Sequence, residues 1–161
     1  MALFFSGSEL LEIAVDIEKN GMAFYQALAH KTGNRDVKDI YNYLAGEEKK
    51  HLDTFQGMSD SLEQAKPSEV DIEEYMLYLK ALADSAVFSN VAEAQQKAAK
   101  VFNEIEALNI GIQAEKDSIL FYTELQDLVR KPDRKVVLNI LDEEKKHLCQ
   151  FSELKRKLQR M

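Results

Sequence analysis

The string "EEKKHL" occurs twice, at 47–52 and again at 143–148. Each copy sets a Glu and a His three residues apart, Glu48 with His51 and Glu144 with His147. On a helix such a pair differs by ~60° in direction and ~4.5 Å in height, so both side chains project to one side and can grip one ion. Two more carboxylates stand upstream. Glu18 opens "EKNGMAFY" and Glu115 opens "EKDSILFY", so the two halves of the chain repeat at offsets of 97 and 96 residues. Buried carboxylates need a counter-charge, and no Lys or Arg falls on the apolar stripes that carry these residues. Two divalent cations would balance four carboxylates, while neutral imidazoles add ligands without adding charge. An oxygen-rich set with two nitrogens suits iron, with manganese as the other candidate, better than structural zinc, which favours thiolates and a closed tetrahedron. A ferrous pair can surrender two electrons together, which makes peroxide or dioxygen the natural substrate.

Four long helices must position these groups. The first starts at "SGSE", where Ser6 and Glu9 have capping-box spacing, carries Leu11, Ala14, Glu18, Gly21, Tyr25 and Leu28 on one stripe, and ends before "TGN". The second runs from about Asp36 to Met58, with Val37, Ile40, Tyr41, Leu44, Glu48, His51, Phe55 and Met58 on one face. The short break makes the two antiparallel neighbours. Glu18 and Glu48 are equidistant from Gly33 in that break, so they stand level. A third helix starts near Asn103, again with capping-box spacing to Glu106, and bears Ile105, Leu108, Ile112, Glu115, Ile119, Tyr122 and Val129 until "RKPDR" ends it. The fourth carries Val137, Ile140, Leu141, Glu144, His147, Leu148, Phe151 and Leu154 into the basic "KRKLQR", which complements the negative end of the helix dipole.

Residues of about 60–102 form a connection far longer than the few residues usual between bundle helices, so they must cross the bundle. "VDIEEYMLYLKAL", with Ile72, Tyr75, Met76, Leu79 and Leu82 at helical spacing, and "VAEAQQKAAKVF" predict short helices within it, packed as a lid on the chain's own core or against a second subunit. The reading is an all-α fold: one domain over 1–161, a four-helix bundle of two helical hairpins joined by a long crossover, a connection that resembles ferritin-like folds.

A formal charge of −7 repels phosphate backbones, which argues against nucleic acid as a partner. No apolar run approaches the ~20 residues that span a bilayer, and "MALFF" lacks the features of a secretory signal, so the reading is no membrane partner and a cytoplasmic location. The single cysteine, Cys149, cannot build a Cys-x-x-Cys site. It falls two residues after His147, about 200° around the helix, and is read as a small packing residue pointing away from the metals. His30 ends the first helix without an acidic or His partner at ligand spacing and is read as a helix-end residue. Glu47 and Glu143 fall off the apolar stripe and are read as solvated, Lys-paired residues.

Two Glu-x-x-His motifs with Glu residues upstream in register resemble the rubrerythrin and ferritin-like di-iron carboxylate family, over nearly the whole chain except the crossover. The resemblance implies that Glu48 and Glu144 bridge two iron ions, that Glu18 and Glu115 are terminal carboxylates, and that His51 and His147 each bind one ion. It also implies that Tyr25 and Tyr122, seven residues after the terminal Glu residues, stand beside the site as supporting groups. Typical relatives have another Glu where this chain has Ser118, so the site is expected to be more symmetric here. Many relatives carry a rubredoxin domain, so a chain with only Cys149 is expected to need an external electron donor. The implied activity is reduction of hydrogen peroxide or dioxygen; the alternative is a non-catalytic iron-binding or iron-handling protein, and the resemblance is compatible with a homodimer.

Overall fold

The computed structural model describes residues 7–62 and 73–161. Its helices are α1 (Gly7–Lys31), α2 (Arg35–Leu62), α3 (Glu73–Asp84), α4 (Val91–Lys100), α5 (Glu104–Leu125) and α6 (Lys131–Gln159), with no strand among the described residues. α1 packs on α2 and α5 on α6 as two hairpins, and α1·α5 and α2·α6 contacts join them into a four-helix bundle.

Polar residues cut the core into two apolar clusters. One gathers Phe24, Tyr25, Leu28, Tyr41, Leu44, Leu108 and Phe151; the other gathers Leu11, Phe55, Phe121, Tyr122, Leu125 and Leu141. Every long helix runs from one cluster to the other and carries its buried acid or imidazole between them. In α1 the order is Leu11, Ala14, Glu18, Phe24 and Leu28, and in α2 it is Val37, Leu44, Glu48, His51 and Phe55, all buried. The order of clusters reverses between α1 and α2 and again between α5 and α6, but α2 and α5 run the same way. The crossover therefore has to travel the length of the bundle. Each fully buried Leu or Phe contributes roughly 1.5–3 kcal/mol, and these flanking clusters support a polar layer that would not hold itself together.

Caps set several of the helix starts. Asn34 Oδ1 accepts from Val37 N (3.2 Å) before α2, Asn90 Oδ1 from Glu93 N (2.8 Å) before α4, and Asn103 Oδ1 from Glu106 N (2.9 Å) before α5. The crossover helices cover the chain's own core. α4 lies on α1 with Ala94 and Ala98 fully buried, and α3 lies on α5 with Leu79 fully buried. Lys31 extends from the end of α1 to the carbonyls of Ala99 (2.7 Å) and Val101 (2.6 Å), satisfying acceptors at the end of α4.

Some boundaries differ from the expectation. α2 continues to Leu62, and α5 stops at Leu125, so Val129 lies in the following turn rather than on the helix. Pro132 occupies the first turn of α6, where its missing N–H costs nothing, and so begins the fourth helix instead of ending the third. The buried stripe of α5 is also rotated, running through Ala107, Leu108, Gly111, Glu115, Ser118, Tyr122 and Leu125 while Ile105, Ile112 and Ile119 are only partly buried. Cys149 is exposed, so it does not pack in the core. Ser6 and Ile72, and the side chains of Tyr75 and Met76, lie outside the described residues.

Candidate metal centre

Glu18, Glu48, His51, Glu115, Glu144 and His147 are all buried in the layer between the two clusters, none more than 3% exposed. Their ligand atoms form two groups. Glu18, Glu48, His51 and Glu144 make one; Glu48, Glu115, Glu144 and His147 make the other; within each, one ligand atom per residue lies within 4.8 Å of the others. Glu48 and Glu144 belong to both. Glu144 divides its oxygens accordingly, Oε1 standing 3.0 Å from His51 Nδ1 and Oε2 3.2 Å from His147 Nδ1. The imidazoles stack with centroids 5.9 Å apart.

Both tyrosines reach across the bundle. Tyr25 on α1 donates to Glu115 Oε1 on α5 (2.6 Å), and Tyr122 on α5 donates to Glu18 Oε1 on α1 (2.5 Å). Each hydroxyl therefore fixes the acid of the opposite hairpin and leaves that acid's second oxygen turned toward the cluster. Those second oxygens, Glu18 Oε2 and Glu115 Oε2, have no hydrogen-bond partner in the protein, and neither does Glu48 Oε1; Glu144 Oε1 and His51 Nδ1 face each other at 3.0 Å without hydrogen-bond geometry. Five such atoms in one buried layer are costly unless an electrophile engages them. The donor set fits iron.

Electrostatics agree with this reading. Burial first, and then the charge of Glu144, pushes Glu18 and Glu48 well above the ordinary carboxylate range. The same two causes raise Glu115 to about 8. Burial opposes ionisation of Glu144 too, but the imidazoles of His147 and His51 standing against its two oxygens outweigh it and hold this acid below its usual range. For His51 and His147 burial disfavours the charged ring, yet the neighbouring carboxylates, Glu144 beside His51 and Glu115 with Glu144 beside His147, raise them to about 9 and about 10. Left to its own groups, the cluster neutralises itself by taking up protons. Divalent cations would displace those protons.

Two neighbours of the cluster were not singled out by motif. A Cβ at Gly21 would come 2.9 Å from Glu48 Oε2, so this mid-helix glycine clears the space for that carboxylate. Its presence on the inner stripe of α1, where Ala would be the better helix former, is the signal that marks it. Glu143 is the second, and its expected role needs correction. Its Oε2 sits 2.7 Å from His51 Nε2, joining α6 to α2, rather than pairing with Lys in solvent. Glu47 pairs with Lys50 at 2.5 Å as expected, but its side chain is only 13% exposed rather than solvated. His30 contacts the Gln26 carbonyl (2.8 Å) at the exposed end of α1, away from the cluster.

A cavity of about 30 Å³ adjoins the cluster, lined by Gly21, Glu48, Glu115 and Ser118 and by Val87 and Phe88 of the crossover. No described helix is long and apolar enough to cross a membrane.

Comparison with known proteins follows the same lines. No protein with a curated description matches the chain in sequence. Among solved structures, a ferritin-like diiron-carboxylate protein from Thermotoga maritima is 32% identical, with 94% of this chain and 95% of that one covered at a TM-score of 0.70. A hypothetical protein from Pyrococcus furiosus, 21% identical, shares the fold at a TM-score of 0.69 over 97% of this chain and 92% of its own. The family profile described as rubrerythrin matches residues 9–155, nearly the whole bundle together with its crossover. On that match the chain belongs to the rubrerythrin family.

Proposed function

We propose that this protein is a di-iron oxidoreductase that reduces hydrogen peroxide, or dioxygen, with electrons from a separate donor. The observation that carries the proposal is the pair of overlapping four-residue groups sharing Glu48 and Glu144. Glu18 and His51 would complete one ion's ligands, and Glu115 and His147 the other's. Iron held there would supply the two electrons that, with two protons, convert hydrogen peroxide to two waters. Manganese is the alternative occupant, since the same donors suit it.

The chain's own groups prepare the site for such chemistry. Tyr25 and Tyr122 hold their protons firmly, because burial and then the neighbouring Glu115 or Glu18 charge pushes each phenol well above its ordinary range. They orient carboxylates rather than ionise. The two apolar clusters keep bulk water from the layer, which strengthens every charge interaction inside it. The small cavity beside Glu48 and Glu115 has room for a reactant of about two heavy atoms.

The test is rapid mixing of ferrous-loaded protein with peroxide, first alone and then with an artificial reductant in excess. The oxidoreductase reading predicts oxidation faster than that of free ferrous iron and many equivalents of peroxide consumed once reductant is present. Consumption that stops at one equivalent per iron pair, whatever the reductant, would assign the protein to iron handling instead.

A further inference from the structure

The two "EEKKHL" copies are identical in letters and different in partners. In the first, Glu47 is taken up within its own helix by Lys50. In the second, Glu143 leaves its equivalent lysine, Lys146, and crosses to α2, where its Oε2 meets Nε2 of His51 at 2.7 Å. An ionised carboxylate only accepts, so the proton of this bond must lie on Nε2 of His51. That choice fixes the ring, with Nδ1 turned toward Glu18 Oε2 (3.5 Å) and Glu144 Oε1 (3.0 Å). His147 has no such support: among the described residues its hydrogen bonds and ion pairs are all made through Nδ1.

We infer that Glu143 is a positioning residue for His51, and that it makes the two metal positions of this near-symmetric site unequal. The inference rests on the metal-binding reading above. Adjacent residues on a helix point ~100° apart, so while Glu144 looks into the layer, Glu143 can lie along the α2–α6 contact behind the imidazole. A carboxylate behind a ligating His holds its orientation and raises its basicity, and loss of such a partner typically costs about 10- to 100-fold in metal affinity. The ion on the His51 side should therefore bind more tightly than the ion on the His147 side, even though both see the same ligand types.

Cobalt(II) titration of the full chain, with Glu143→Ala, Glu143→Gln and Glu47→Ala beside the wild type, tests this. Glu143→Ala should weaken one of two binding steps by about 10- to 100-fold and leave the other within about threefold. Glu143→Gln, which can still accept the hydrogen bond, should recover part of that loss, and Glu47→Ala should change neither step. A second readout is the exchangeable ring N–H signal of His51 in the proton spectrum of the cobalt protein. It should be protected from solvent in the wild type and lost to exchange in Glu143→Ala. Glu143 is partly exposed, its side chain 44% accessible, so the variants should fold, as far-UV circular dichroism can check. Two unchanged steps in Glu143→Ala, or equal losses in Glu143→Ala and Glu47→Ala, would overturn the inference while leaving the metal site standing. A wild type that takes up no cobalt would instead overturn the metal-binding reading itself.

Discussion

The half of the centre built on His51 and the half built on His147 have the same ligands and different surroundings. Around the first, Gly21 makes room for Glu48, Tyr122 holds Glu18, and Glu143 backs the imidazole. Around the second, Ser118 stands at the position equivalent to Gly21, its hydroxyl turned back to the Ala114 carbonyl (3.1 Å), Tyr25 holds Glu115, and Glu47 is occupied by Lys50. Both halves keep the groups that would touch an ion, together with one crossed tyrosine each. What has diverged is the layer behind them, where a repeat can drift without losing the ion.

The largest effect should come from removing what the halves share. Glu144→Ala takes an oxygen from each group at once and strips the Nδ1 atom of each imidazole of its nearest acid, so iron retained after desalting should fall to near zero. Replacing His147 alone should leave the His51 side loaded. If Glu144→Ala still held one ion per chain by elemental analysis, the halves would be independent sites.

Next in size is the pH response of the metal-free protein. Glu115 is raised from 4.5 to about 8, and His51 and His147 from 6.5 to about 9 and about 10. Groups raised on folding stabilise the fold fully below their ordinary values, and that contribution is lost as pH climbs through the raised ones. Glu18 and Glu48 act in the same direction, while Glu144, depressed on folding, contributes above 4.5 and loses that contribution in acid. Denaturant midpoints of the metal-free form should therefore fall from about pH 5 to pH 9. Iron-loaded protein should vary much less, because cations replace the protons. A flat profile without metal would mean that the cluster does not titrate as a unit.

The tyrosines offer a finer comparison. Tyr25→Phe and Tyr122→Phe each leave a buried carboxylate oxygen without its donor, at a cost of ~1–3 kcal/mol in metal-free stability. The two losses should be close, since both phenols are buried and both bond an acid across the bundle; a gap of several kcal/mol between them would show that the symmetry ends inside the ligand layer. The smallest effect separates Gly21 from Ser118. Ala at 21 must push Glu48 aside, so iron affinity should drop although Ala is the better helix former by ~1 kcal/mol. Ala at 118 removes one intrahelical bond and should leave affinity unchanged, as parallel metal titrations would reveal.

Much of this was legible from residue order because helical periodicity and the internal repeat are local signals. Glu18, Glu48 and His51 share stripes with Leu11, Tyr25, Tyr41 and Phe55, and the structure buries all of them together. The end of α5 was misplaced because Pro132 can close one helix or open the next, and only the turn at Gln126–Val129 separates those outcomes. Glu143 escaped for a different reason. Its letters match Glu47, and the partner that distinguishes it comes from another helix, so the distinction lies in how α2 and α6 cross. The same holds for the tyrosines: spacing put each near an acid, but only the packing of the two hairpins pairs each with the acid of the other.

Anomalous diffraction at the iron edge, from crystals of protein purified without added metal and then loaded with ferrous iron, probes the shared-carboxylate site most directly. Two peaks should lie inside the bundle, one beside Glu18 and His51, the other beside Glu115 and His147, with Glu48 and Glu144 touching both. Density with no peak between the apolar clusters, or iron only on surface acids, would contradict a di-iron centre in this protein.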